Sequence, residues 1–335
     1  MEHSMRSPEY DAFGPWVYEV TSPDEVPPLF RDHPLDLASA RLVLKVPRRI
    51  ARRDANPAMN LYDHLLVVDA TGLTVLSRRG ETHSTRHVPP EQVAAVVDSV
   101  NLLDARLAVH LTTRDGAGVA GAGRPAGQNP VVAVRYNGAS HDVVLGLVDQ
   151  VRGLYRSGPV GSPRVEDEPT ASASAHGSSR HQGLALDLAD LGDQDVALVT
   201  AYRDLARREG VELLAAHPRT VVRPLGSGAG GAAAGLAHAA WPMTLHGAVV
   251  CRSEDELQLV HRREWWLRGR RPVHSIERTV LPLARVDEVT TGAHPRYADV
   301  TVVSVRLGET SLVLPVPAAS RAATQLPEAL RGRAA

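Results

Sequence analysis

The densest run of chemically capable side chains lies at 261–271, HRREWWLRGRR, where Arg262, Arg263, Arg268, Arg270 and Arg271 surround Trp265 and Trp266. Arginine laid over tryptophan, or several arginines converging on a phosphate, makes a binding surface. The same letters also describe a strand with one Trp in the core, the other on the surface, and a solvated arginine turn. A second pattern, Gly226-Ser227-Gly228-Ala229-Gly230-Gly231, fits G-x-G-x-x-G, whose glycines let backbone amides close on a pyrophosphate at a helix N-terminus. That chemistry needs repeating strand–helix units. Pro224 just before the glycines and Trp241-Pro242 soon after them argue for a flexible loop instead. His83 and His87, four apart, would share a metal on a helix, but their surroundings read as a polar bend with no third ligand near in sequence. Cys251 sits in the apolar stretch HGAVVCR with His246, where a buried thiol is the default and no local signature supplies a base and an orienting acid. The sequence therefore nominates no catalytic residue, no metal ligand and no cofactor, and only the Arg/Trp run as a binding candidate.

Composition narrows the classes further. At 335 residues the chain is long enough for two domains, and its 43% hydrophobic content is enough for each to build a core. A formal net charge of −1 argues against a large, sequence-specific nucleic-acid surface held by phosphate neutralisation. Lys45 is the single lysine among the 37 basic residues, a bias we assign to genome composition before recognition chemistry. One cysteine excludes an intrachain disulfide and a zinc knuckle. The N-terminal residues lack a basic segment followed by an apolar core, and no run of about 18 apolar residues occurs. The expected location is cytoplasmic.

The elements that must position these side chains are mostly short strands. Residues 1–36, rich in Pro, Ser and charge, suggest a loosely packed arm with Trp16, Val17 and Tyr18 as its apolar knot. Strands are expected at 41–46, stopped by Pro47, and at 61–68 and 73–77 around the turn 69–72, followed by a polar bend at 78–87. The spacing of Val144, Leu147, Val148, Val151 and Leu154 predicts an amphipathic helix over 141–156. Residues 157–182 have almost no large apolar side chain and read as a flexible linker. Beyond it we expect a helix at 193–209, capped by Asp193 and ended by Gly210, then strands at 211–215 and 220–223 and a hairpin of 244–252 with 256–261. A poorer last helix at 321–331 is interrupted by Pro327.

Two segments share one pattern. Residues 88–96, VPPEQVAAV, and 281–289, LPLARVDEV, both read apolar-Pro-x-x-x-Val-x-x-Val. Each precedes alternating strands (102–111 and 297–307, then 132–140 and 312–320), with a Gly/Ala-rich insertion at 117–129 in the first copy alone. Each set ends in Ala-Ser before a helical pattern, which places Ser140 and Ser320 as N-caps. The agreement suggests an internal duplication. Both copies are expected as strands. Val93 and Val96, like Val286 and Val289, are three apart and should then face opposite ways, with the same member of each pair buried.

The order of elements, the paired segments and the terminal helices resemble the pleckstrin-homology-like superfold, over 61–155 and about 244–330. The resemblance implies an α+β, mainly β fold: two small twisted antiparallel sheets or partly open barrels, each closed by a C-terminal amphipathic helix. It divides the chain into an arm (1–36), a first domain (37–156), a linker (157–188) and a second domain (189–335) that begins with the helix at 193–209. The lipid-binding members hold headgroups with basic residues in the first strand–strand loop. The matching turns here, 69–72 and 253–256, are acidic or neutral, so no family site residue is carried over. Bacterial members look like interaction modules. The expectation is a non-enzymatic tandem-repeat scaffold whose partner is another protein. Alternatives are a nucleotide-binding enzyme using 226–231 and, less favoured, a membrane-surface or anionic-ligand binder using Arg262, Arg263, Trp265, Trp266, Arg268, Arg270 and Arg271.

Overall fold

Runs of Val, Leu and Thr broken by Gly and Pro fix the architecture, because β-branched and leucine side chains pack on pleated surfaces while Gly and Pro end each run. The computed structural model describes residues 8–112, 131–156, 186–225, 238, 241–269 and 273–331. Residues 157–185 of the expected linker (157–188), the expected insertion at 117–129 and the glycine loop at 226–231 lie outside the described residues.

The first half comprises α1 (Pro8–Ala12), β1 (Tyr18–Glu19), β2 (Leu42–Pro47), β3 (Tyr62–Val68), β4 (Leu73–Arg79), β5 (Thr82–Val88), β6 (Val93–Asn101), β7 (Asp104–Leu111), β8 (Val131–Asn137) and α2 (His141–Arg156). The second comprises α3 (Leu188–Leu191), α4 (Val196–Glu209), β9 (Glu212–His217), β10 (Thr220–Val221), β11 (Met243–Leu245), β12 (Ala248–Arg252), β13 (Glu256–His261), β14 (Trp266–Arg268), β15 (Ile276–Pro282), β16 (Glu288–Ala293), β17 (Val300–Leu307), β18 (Thr310–Pro317) and α5 (Ala322–Arg331). The fold is mainly β. Among the described residues the strands form antiparallel sheets, none of them closed: β1-β2-β3-β4-β5, β10-β11-β14, β16-β17-β18 and a seven-stranded sheet β8-β7-β6-β15-β13-β12-β9.

The seven-stranded sheet joins the two halves. Ile276–Val280 of β15 pair with Val100–Val96 of β6, so one hydrogen-bonded ladder runs across the division. On one face α2 packs Val144, Leu147, Val148 and Val151 against Val96, Leu107, Val109 and Val134. On the same side α4 sets Leu198, Val199, Tyr202 and Leu205 over Val249, Cys251 and Val260. The other face carries β17, β18 and α5, packed on Leu257, Leu259 and Leu281. The five-stranded sheet shares the α2 core through Leu44, Leu66, Val75 and Val88.

Several expectations change. Residues 8–36 are not a loose arm: Phe13, Val20, Val26 and Phe30 are buried against the outer face of β2–β4, and Val17 enters the α2 core. Prolines force short 3-10 turns there, at Pro23–Glu25 and Pro28–Phe30, so the burial has no helical or strand period to betray it. The polar bend at 78–87 is a hairpin of β4 and β5 around Gly80-Glu81. Ser140 does not cap α2. Its hydroxyl accepts from the Val17 amide (2.9 Å), and Asn137 caps the 3-10 turn Gly138–Ser140 that leads into the helix. Ser320 likewise donates to the Pro317 carbonyl (2.6 Å). Leu186, placed in the linker, is buried with Leu191 against α4. The strand expected at 244–252 breaks at His246-Gly247, giving β11 and β12 to different sheets.

The paired segments each run from a strand end through a 3-10 turn (Pro90–Gln92, Leu283–Arg285) into the next strand. The opposite-face expectation fails for a local reason. A bulge between Val93 and Ala95 adds one residue, so Val93 and Val96 turn to the same side and both are buried in the α2 core. Val286 and Val289 are both half-buried against the α5 core.

Candidate functional site

The sequence between β13 and β14 must turn a chain that leaves one sheet into another, and polar side chains have to satisfy the backbone of that turn. The arginines do this from within. Arg262 is buried: its Nε and Nη2 donate to Asp195 Oδ1 (3.2 and 2.9 Å), Nη1 to the Ser275 carbonyl (3.0 Å) and Nη2 to the Gln194 carbonyl (3.2 Å). Arg263 reaches the first half, with Nε on Ser99 Oγ (2.6 Å), Nη1 on Asp104 Oδ2 (2.6 Å) and Nη2 on the Ser99 and Asp104 carbonyls (3.2 and 2.7 Å). Trp265 stacks on His261 with ring centres 4.1 Å apart. Trp266 packs against His294 and Tyr297. Arg268 is exposed, while Arg270 and Arg271 lie outside the described residues. Two of the five arginines are therefore engaged inside the molecule.

Two cavities flank the seven-stranded sheet. The larger, about 650 Å³, lies on the helix side between α2 and α4 and is lined by Asp98, His141, Asp204, Arg207, Arg208 and Arg278 over Val100, Val260 and Ile276. Asp98 is buried; its carboxylate pairs with His141 Nε2 (2.6 Å) and accepts from the Tyr136 hydroxyl (2.7 Å). Burial, then the Asp98 charge, pushes the Tyr136 phenol above its ordinary value. A carboxylate orienting an imidazole is half of a nucleophilic relay, but no hydroxyl or thiol lines this cleft among the described residues. Cys251 is buried elsewhere, bonded to the Gln258 carbonyl, and burial pushes its thiol up to about 12, a protonated and unreactive state.

The second cavity, about 320 Å³, opens on the other face. Cross-strand register sets Arg135, Arg106, Ser99, Glu277 and His261 in one row over β8, β7, β6, β15 and β13. Burial raises Glu277 to about 7, against the Ser99 hydrogen bond and the Arg263 and Arg106 charges, which lower it. Burial also holds His217, His246 and His261 down at about 4, so all three are neutral at pH 7. Among the described residues no three His, Cys, Asp or Glu side chains converge to hold a metal. His83 bonds the Leu29 carbonyl and His87 bonds Thr74, one on each end of strand β5.

The strongest polar constellation is one sequence reasoning missed. Arg152 on α2 points into the seam between the halves and is 2% exposed. Its guanidinium donates to Glu256 (3.1 and 2.6 Å), to Glu209 (3.0 and 2.6 Å) and to Asp149 (3.1 Å). Glu256, at 0% exposure, also accepts from Tyr155 (2.5 Å) and Arg156, while Arg278 and Gln258 bond Glu209 (2.5 and 3.0 Å). Burial alone would raise Glu209; the Arg152 bonds and the Arg278 and Arg152 charges outweigh it and hold the carboxyl at about 2. In the sequence the one available signal was an arginine beside the apolar stripe of α2.

β16 and β18 are the edge strands of the three-stranded sheet β16-β17-β18. β16 is exposed along nearly its whole length and, among the described residues, pairs only with β17. His294 donates to the Val300 carbonyl, so by antiparallel alternation the backbone groups of Val289, Thr291 and Ala293 face outward. Arg331 of α5 donates to one of them, the Val289 carbonyl (3.3 Å). No helix among the described residues is long and apolar enough to cross a membrane. Comparison with protein-family models, curated proteins and solved structures finds no match to this chain.

Proposed function

We propose that the chain is a non-enzymatic interaction protein of two pleckstrin-homology-like modules, which offers the outer edge of β16 to an extended segment of another protein. One observation carries the reading. Each half runs through a four-stranded meander (β2–β5; β9, β12, β13, β15), a 3-10 turn, three further strands and a helix. In the first half the leading strand of the last three, β6, has a strand from elsewhere on its outer edge, namely β15. The matching edge of β16 has no strand paired to it among the described residues, and Arg331 occupies the Val289 carbonyl.

Strand addition draws affinity from main-chain hydrogen bonds and specificity from pockets for alternate side chains. Open edges are a hazard that proteins ordinarily blunt with charges, proline or bulges, and beyond Glu288 the strand β16 (EVTTGA) carries neither a charge nor a proline. The neighbouring helix α5 supplies a cation, Arg331, beside this edge. The test is selection of extended peptides, roughly 12 residues long, from a random display library on the intact protein, followed by titration of the winners. Thr291→Pro removes an outward amide without touching the β16–β17 ladder. Loss of peptide affinity with unchanged thermal stability supports the reading. Selected peptides that bind T291P as well as wild type refute it.

A further inference from the structure

Three β-hairpins among the described residues close through two residues. Gly80-Glu81 joins β4 to β5 and Gly308-Glu309 joins β17 to β18, with Gly80 and Gly308 in the left-handed region at φ +66 and +63. The third hairpin, between β6 and β7, closes with Leu102-Leu103, and Leu102 is the one non-glycine at positive φ among the described residues (φ 54). A branched side chain is a poor occupant of that conformation, and strain of this kind marks a position kept for something other than folding. The turn is braced: the Gly138 amide donates to the Leu103 carbonyl (2.9 Å), and a Cβ on Gly138 would lie 2.1 Å from the Leu102 carbonyl oxygen. Both leucines point away from the protein, Leu102 69% and Leu103 66% exposed, the two highest values for large apolar side chains among the described residues.

The neighbours of this tip are apolar and basic. Val17 bonds Ser140, two residues past Gly138, and brings the preceding Trp16, 48% exposed, to the same helix start. Arg49 pairs with Asp104 next to Leu103 (3.0 Å). Behind the tip Arg106 and Arg135 are direct cross-strand partners, both exposed, with no ion-paired acid among the described residues. Like charges so placed repel one another, and the internal acid that Arg106 faces, Glu277, is itself raised by burial.

We propose that this end of the molecule rests on an anionic lipid surface, with Leu102 and Leu103 inserted below the headgroups, Trp16 at headgroup level, and Arg49, Arg106 and Arg135 against the phosphates. Apolar insertion and basic residues together give membrane binding that neither gives alone. The site is separate from the β16 edge and does not depend on strand addition there.

The test is sedimentation of the full chain with vesicles of phosphatidylglycerol and phosphatidylcholine, or of phosphatidylcholine alone. The double variant Leu102→Gly with Leu103→Glu gives the third hairpin the sequence of the other two, so it should fold at least as well as wild type, as a melting curve checks. Wild type should bind the anionic vesicles, more weakly as salt rises. The double variant should bind them on the order of a hundredfold more weakly, since each of the two leucines is worth about a decade when buried. Arg106→Gln with Arg135→Gln should reduce the preference for anionic over neutral vesicles. A protein pocket as the true occupant of the hairpin would leave wild type unbound to either vesicle. That result, or undiminished binding by the Gly-Glu variant, overturns the proposal.

Discussion

Replacing Arg152 with Met tests the seam between the halves most directly. The substitution keeps the aliphatic stem and α2's apolar contacts but removes five hydrogen bonds at 2.6–3.1 Å, four of them to Glu209 and Glu256. Glu256 has no access to solvent, so its charge stays buried with Tyr155, Arg156 and Gln258 as its remaining partners. Deleting one partner of a buried pair costs about 3–5 kcal/mol, mostly through the charge left behind. Arg156 stays in place, so the lower end of that range is expected, measured by urea titration at pH 7. Two controls separate this from lost packing. Adding Glu256→Gln to Arg152→Met removes the stranded charge and should recover a good part of the loss. The pH dependence should also change. The Glu209 carboxyl, held at about 2, contributes stability that is present above its ordinary 4.5 and lost as pH falls between the two, on the order of 3 kcal/mol in wild type. Without Arg152 that acid-labile share should shrink. A loss below about 1 kcal/mol for R152M, or no recovery in the double variant, would refute the argument that the network locks the halves together.

Other outcomes follow from the same physics. Glu277, raised to about 7, gives stability that is full below 4.5 and lost as pH rises to 7, so Glu277→Gln should stabilise the protein at pH 8 and not at pH 4, read as the difference in melting temperature. His217, His246 and His261 act with the opposite sign: held at about 4, they favour the fold above 6.5 and withdraw that support as pH falls to 4, so melting temperature should drop steeply across that window and less so in His246→Gln. Leu102→Gly alone should raise stability by less than about 1 kcal/mol, relief of the left-handed strain being offset in part by the greater freedom of Gly in the unfolded chain. A protease site engineered between Arg156 and Leu186 should yield fragments that co-elute in gel filtration, held by the β6–β15 ladder and the Arg152 network.

Much of the element order was legible. The stripe from Val144 to Leu154 gave α2 to the residue, and Gly210 ends α4 with φ +64 as its position promised. The hairpin β12–β13 followed from alternation, whereas the paired segments, expected as strands throughout, each contain a 3-10 turn. What the sequence hid was relational. Nothing in the letters of β15 says that its neighbour is β6, because pairing is set by side-chain fit across the gap and not by a local pattern. Arg262 and Arg263 read as surface chemistry because a buried arginine is rare unless its acid partner is known, and Asp195, Asp104 and Ser99 are far away in sequence. The bulge at Ala94 was invisible for the same reason: one inserted residue in an Ala-Ala step carries no signature, yet it reverses the facing of everything that follows.

The ladder between β6 and β15 also constrains how the chain reaches its native state. The Arg263–Ser99 bond beside it joins residues 164 apart, so this part of the central sheet closes only after most of the polypeptide has been made. Contacts of such long separation form slowly, because a large loop must be closed before any bond rewards it. Until then β6, nine residues long and largely apolar, waits on the growing first half with one side unpaired. Such an edge recruits whatever strand arrives first, and another copy of itself is the nearest candidate on a polysome. A fragment ending at Arg156 should therefore associate through β6 with its own twin, which sedimentation velocity would detect. The second half then has a kinetic duty besides its structural one: it acts as the chaperone of the first, closing an edge that would otherwise seed misassembly.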